Sequence, residues 1–485
     1  MAGIGFELRR LSRQQTLTGI ASALGHAAVI AAGPWLFTIV SLATITLFTE
    51  PVAGLATLAT FRAIIIYAFA ISLVLTAPVT IVATRLVADA LWLKKPARVR
   101  PLLFGAYMVA IAFVSAGTAA LALYFKMPPD LAIALLAASL TVALIWVALS
   151  FCGAVRDYRG VTIAFAAGLF ASLLLATLAA LSGHGAALMT WGFVSGLTLT
   201  FLLLTMRVLD AFGGRLDRPQ AGFEMIMAGF RTYRHLALGA LAGTVAVWID
   251  KWIFWFSPIG ETVAGGLVHA PLYDSAMFIA SLVIIPALSI FVVQLETEFF
   301  ERYQSYYSTI STHGTLHQIE AARVRLASGT LEKFVLITVM QVGICAILVL
   351  SAPLIVELLN LQFQQISILR YGALGAVFQF IFISSTSMLL FFDRRRFYLA
   401  MQVVFLSLNA GLTLLSVHLG EAYFGVGYFS ACLIASFVAY LAADRTFEQL
   451  NFLTFLGNNP SIIESTQSAA RRGLFKRRAR RRQSQ

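Results

Sequence analysis

The chain has 485 residues, of which 59% are hydrophobic and only 12% charged, a balance outside the range of soluble domains. It describes a polytopic membrane protein and excludes a water-soluble enzyme or regulator. The net charge of +13 would suit a nucleic acid, but the basic residues gather in alternate connections between apolar runs, which is a topology signal, and no nucleic-acid partner is expected.

At about 20 residues per crossing, the apolar runs predict twelve transmembrane helices: 17–48, 61–88, 101–124, 131–152, 161–181, 187–207, 236–256, 271–295, 334–356, 367–392, 398–418 and 425–442. The expected division is an N-terminal amphipathic segment 1–16, a six-helix bundle 17–209, a cytoplasmic linker 210–235, a second six-helix bundle 236–443 with a cytoplasmic segment 296–333, and a basic tail 444–485. The first span is overlong and carries Gly33-Pro34 in its middle, which frees backbone groups and permits a kink. His26 precedes Gly33 by two turns and shares its face, as a packing residue or a proton relay. Pro78 in span two and Pro286 in span eight stand at similar depths in the two halves and are further candidate kinks. Arg85, near the inner end of span two, is expected to reach for the interface.

With the N-terminus inside, thirty of the 35 Lys and Arg residues fall in inside segments, and only Arg62, Lys126 and Arg370 fall in outside connections. A wrong span count would scramble this alternation, so both termini are expected in the cytoplasm. The linker places Phe223, Ile226, Met227 and Phe230 at helical spacing and reads as a surface helix. The tail cluster from Arg471 to Arg482 is expected to meet anionic lipid.

Span seven, LALGALAGTVAVWIDKWIFWF, holds two adjacent charges, Asp250 and Lys251, where an isolated charge costs at least about 3 kcal/mol. The two side chains leave the helix about 100° apart and need not pair with each other. Gly239, Gly243, Ala246 and Asp250 share one face, a strip that either admits a close neighbour or lines an aqueous cavity. Asp274 and Arg62 are candidate partners by depth. An offset of 217 residues brings Gly222-Phe223-Glu224 onto Gly5-Phe6-Glu7, Trp252 onto Trp35 and Phe254 onto Phe37, so the chain reads as a duplication, with Asp250-Lys251 at the level of Gly33-Pro34. Gln294, Glu296, Glu298 and Glu301 form an acidic group at the end of span eight, as a docking surface or a solvated face.

The three cysteines lie in apolar spans and suggest neither disulfides nor a metal site. The sequence has no G-x-x-x-x-G-K-[ST] loop, H-E-x-x-H or G-x-S-x-G, and its outside loops are short, so no enzymatic activity and no cofactor is expected.

Four stretches, MAGIGFELRRL at the start, GPW at Gly33 to Trp35, WIDKWIFWF at Trp248 to Phe256 and PLYDSAMFIASLVIIPALSIFVVQLETEFFERY at Pro271 to Tyr303, resemble the PelG family of inner-membrane transport subunits of Pel exopolysaccharide machinery. The resemblance implies the fold of the multidrug/oligosaccharidyl-lipid/polysaccharide flippases: all-α, two pseudosymmetric six-helix bundles facing each other across a central cavity lined by spans one and seven. It also implies three partners, a cytoplasmic glycosyltransferase (PelF-like), a cyclic-di-GMP receptor (PelD-like) and a PelE-like membrane subunit. The basic tail beyond Arg471 is not part of that pattern. The leading expectation is export of an N-acetylhexosamine-rich polysaccharide to the periplasm without nucleotide hydrolysis, with Trp35, Trp248, Trp252 and Trp255 offering aromatic faces and Asp250, Lys251 and Arg62 a polar wall. The alternatives are a gradient-driven antiporter of small cationic compounds on the same fold, and a non-transporting membrane scaffold for a polysaccharide synthase.

Overall fold

The computed structural model describes residues 41–155, 158–183, 185–213 and 219–457. His26, Gly33, Pro34, Trp35, the 1–16 segment and the basic cluster from Arg471 lie outside the described residues. Among those described, eleven helices are long and apolar enough to cross a bilayer, and they match predicted spans two to twelve. In hydrocarbon a segment must satisfy its own backbone groups, which is why every crossing is helical.

Residues 41–53 (α1) are helical and extend the first predicted span past its expected end at 48. The first half continues with α2 (Leu55–Trp92), α3 (Val99–Tyr124), α4 (Pro129–Val155), α5 (Tyr158–Leu181) and α6 (Gly185–Ala211). A short amphipathic helix, α7 (Pro219–Thr232), leads to α8 (Arg234–Trp255), the seventh crossing. A two-stranded hairpin, β1 (Glu261–Thr262) and β2 (Val268–His269), follows, with Glu261 opposite His269. The eighth crossing is α9 (Pro271–Leu282) and α10 (Ile284–Gln294), extended through a π-helical turn (Leu295–Phe299) into α11 (Phe300–Ser311). Then come α12 (Leu316–Leu358), α13 (Gln365–Phe391), α14 (Arg395–Leu419) and α15 (Val426–Glu448).

The packing repeats between halves. In the first, crossing two packs on four (α2 on α4), three on four, four on six and five on six. In the second, eight packs on ten (α9 on α13), nine on ten, ten on twelve and eleven on twelve. Helix α2 against α8 joins the halves. Since short connections reverse the chain at each turn, the helices share a hairpin end, marked by β1 and β2, and a basic end, where Lys94, Lys95 and Arg394 to Arg396 stand.

The segment 296–333 is helical: it is α11 turning back into α12, whose 43 residues span about 65 Å, roughly twice the hydrocarbon thickness. A capping box starts α12, with Thr315 accepting from the Gln318 backbone N–H and Gln318 from that of Thr315. On α7 the buried face is Gly222, Ile226 and Gly229, whereas Phe223 is exposed. Gly222 lies so close to Gly105 of α3 that a Cβ on Gly105 would come within 2.2 Å of its carbonyl carbon. Helix α2 runs unbroken through Pro78, but the eighth crossing is interrupted at Val283, where Pro286 cannot bond the Leu282 carbonyl and its ring crowds it. The acidic group at the end of span eight also divides, since Glu296 is buried while Glu298 pairs with Arg302 and Lys333. The three cysteines are buried and free.

Candidate functional site: a buried charge pair and the contacts that join the halves

Asp250 is fully buried in the second half. Its carboxylate accepts from Lys251 Nζ at 3.0 and 3.2 Å and from the Tyr273 hydroxyl of α9 at 2.9 Å. The adjacent charges therefore do pair, although helical geometry does not require it. The lysine stem is long enough to fold back along α8, and its ammonium also donates to the Val247 carbonyl one turn below. Lys251 stands 5.9 Å from the centre of the Tyr428 ring and keeps 19% of its side chain exposed, so it is the wet member of the pair. Tyr428, from α15, donates to Gln379 of α13 at 2.7 Å. Three further helices thus close around a charge on α8.

The small-residue strip of α8 is a helix contact. A Cβ on Gly239 would meet the Tyr398 ring at 2.6 Å, and one on Gly243 the Gln402 Oε1 at 2.5 Å, both from α14. Further along, Asn409 Nδ2 donates to the Ala246 carbonyl at 2.8 Å and Thr413 donates to Asn409. The strip brings α14 close enough for buried amides to satisfy one another across the seam.

The structure places neither predicted partner of Asp250 in contact with it. Asp274 Oδ2 accepts from Trp255 Nε1 at 2.8 Å and from the Ala270 backbone N–H at 3.1 Å, while its Oδ1 is buried without a donor among the described residues. Arg62 of α2 acts electrostatically on Glu50 and on His269 of the hairpin. Trp252 is half-buried against the core; Trp255 is the indole that reaches the polar groups. Among the described residues no three His, Cys, Asp or Glu converge as a metal would require.

Sequence reasoning missed the residues that join the halves, because nothing in their spacing marks them. At the hairpin end Tyr67 of α2 donates to the Val268 carbonyl at 2.7 Å and accepts from the Val268 N–H at 3.3 Å. The Tyr67 ring lies 4.6 Å from that of Trp255, and Phe125 stacks with Phe256. At the basic end Arg85 Nη2 donates to the Leu390 carbonyl of α13 at 2.8 Å, rather than reaching out to the interface. One turn on, Asp89 accepts from the Tyr233 hydroxyl, and Arg395 of α14 covers the Tyr233 ring at 4.7 Å. Burial, and then the Asp89 carboxylate, push the Tyr233 phenol up to about 12, so it remains a donor at any physiological pH. Each end is tied by a few polar and aromatic contacts of its own.

A family model described as "PelG: Putative exopolysaccharide Exporter (EPS-E)" matches residues 1–455. The chain belongs to the PelG family. The fold of this PelG-family chain is similar to that of a MATE transporter solved in a bent conformation, with a TM-score of 0.62 and 14% identity over 92% of this chain and 97% of the other. It is also similar to the outward-facing form of a multidrug resistance MATE transporter of the MOP superfamily, at a TM-score of 0.59 and 14% identity over 88% and 96%. A MOP superfamily transporter from Pyrococcus furiosus, whose binding pocket is described as having reversed polarity, gives a TM-score of 0.59 and 15% identity over 88% and 96%. No curated protein matches the chain. This PelG-family chain is therefore a multi-pass membrane transporter with the pseudosymmetric MATE-type fold.

Proposed function

We infer that this PelG-family chain exports a Pel-type, N-acetylhexosamine-rich polysaccharide from a cytoplasmic synthase, across the inner membrane, to the periplasm. The family match over residues 1–455 carries this reading. The bias of Lys and Arg assigns the basic end and both termini to the cytoplasm and the hairpin end to the periplasm. Asp250, Lys251, Asp274, Arg62 and Trp252, with His26 and Trp35 of the first span, are the proposed path or coupling residues. Partners of the kinds named for the family, a PelF-like glycosyltransferase, a PelD-like cyclic-di-GMP receptor and a PelE-like subunit, would meet the basic end. Polymerisation can then push the chain through without a nucleotide site on this subunit.

Removing the chain from a producing cell is expected to abolish secreted polysaccharide while polymer accumulates on the cytoplasmic side. Loss of synthesis itself would favour the scaffold reading, and unchanged secretion would contradict both. The antiporter reading draws support from the two buried carboxylates, Asp250 and Asp274, lying on adjacent helices. It predicts that collapsing the proton and sodium gradients stops export even while polymerisation continues.

A further inference from the structure

A chamber of about 180 Å³ opens at the basic end of the second half, between the eighth crossing, α12, α13 and α15. None of its lining residues belongs to the Asp250 cluster, and its size suits a headgroup rather than a whole lipid. Its wall is graded in polarity. Helices α10 and α11 run toward the basic end, so Glu298 and Arg302 stand nearer the mouth than Phe291. Helix α12 starts at that end, so Lys333 precedes Ile337, and α15 finishes there, so Asp444 lies beyond Tyr440. Charge collects at one level and apolar and aromatic surface lies below it.

The mouth is built. A Cβ on Gly329 would come within 1.9 Å of Arg302 Nη1, so a bare α12 backbone admits that guanidinium. The π-helical turn Leu295–Phe299 carries Glu298, and such turns recur at functional sites. Glu298 takes both Arg302 and Lys333 at 3.4 Å, longer than a strong charge-assisted bond, which leaves both cations with donors to spare. Gln294 lines the chamber with its Oε1 buried and without a donor among the described residues. Exposed Leu331, Val335 and Leu336 flank the mouth on α12 and give it an apolar approach.

We propose that this chamber holds one phospholipid with a zwitterionic, primary-amine headgroup. Its phosphate lies between Arg302 and Lys333, its ammonium meets Glu298 and Asp444, and its acyl chains leave the chamber along the exposed Leu331, Val335 and Leu336 of α12. Two cations facing two carboxylates match a neutral headgroup with separated charges, whereas a purely anionic head would leave the carboxylates opposed. The quaternary ammonium of phosphatidylcholine cannot donate to them.

The test is native mass spectrometry of the full chain released from nanodiscs holding equal parts phosphatidylethanolamine, phosphatidylcholine and phosphatidylglycerol. One phosphatidylethanolamine should stay bound per chain, with a preference of about tenfold over each of the other two, as expected when charged hydrogen bonds are lost. Arg302→Gln with Lys333→Gln should abolish the preference. Ser328→Trp, at an exposed position on the mouth, should lower occupancy with every charge still in place. Equal retention of the three lipids, a preference for phosphatidylglycerol, or selective retention unchanged in both variants would overturn the proposal.

Discussion

Asp250 and Lys251 pair because the Lys251 ammonium can settle on Asp250 and the Val247 carbonyl at once while leaving part of its surface wet. Neutralising one partner leaves a buried charge uncompensated, at a cost of about 3–5 kcal/mol, whereas removing both costs far less. Thermal unfolding in detergent should therefore rank Asp250→Asn and Lys251→Met each below the double variant. If the double variant matches the natural chain in stability but secretes little polysaccharide, the pair serves transport; if it secretes normally, the pair is structural only. His269 supplies a pH response at the hairpin end. Burial lowers its pKa most, Arg62 adds to that and Glu261 opposes it. A base with a lowered folded pKa binds fewer protons folded than unfolded, so its penalty is absent above the unfolded value of about 6.5 and grows as pH falls below it. Hydrogen-exchange protection of 261–269 should drop between about pH 7 and 5.5, and His269→Asn should flatten that change.

The helix α8 shows what a sequence can and cannot convey about an element. Its apolar length and its Gly239, Gly243, Ala246 strip were readable at once, because membrane helices must be apolar and small residues repeat at helical spacing. Which helix fills the strip was not readable, since Tyr398, Gln402 and Asn409 sit more than a hundred residues away in α14 and only packing brings them together. The helical extension of α12 ahead of 334 was not readable for a related reason. Ile319, Ala322 and Leu326 form its buried face, but the polar residues between them hide it from a search for uninterrupted apolar runs. Filling the α8 strip is a direct check: Gly239→Leu or Gly243→Leu should overpack the α14 contact and cost about 1–3 kcal/mol. Equal thermal stability of the variants would mean that the seam is loose.

Across the whole molecule, the repeat of packing between halves and the separate ties at the two ends give a transporter two places to open. The duplication was legible from the offset that sets Trp252 on Trp35, whereas the ties were not, because Tyr67, Arg85 and Tyr233 look like ordinary membrane-edge residues until their partners are seen. Rocking of one half against the other requires the Arg85 to Leu390 contact to part when the basic end opens. The most direct measurement places cysteines at 85 and 390 in a chain whose Cys152, Cys345 and Cys432 have been replaced, links them with a short bifunctional maleimide having a cleavable spacer, and follows secreted polysaccharide. Secretion should stop on linking and return on cleavage; secretion undiminished in fully linked protein would contradict movement between the halves as the basis of transport.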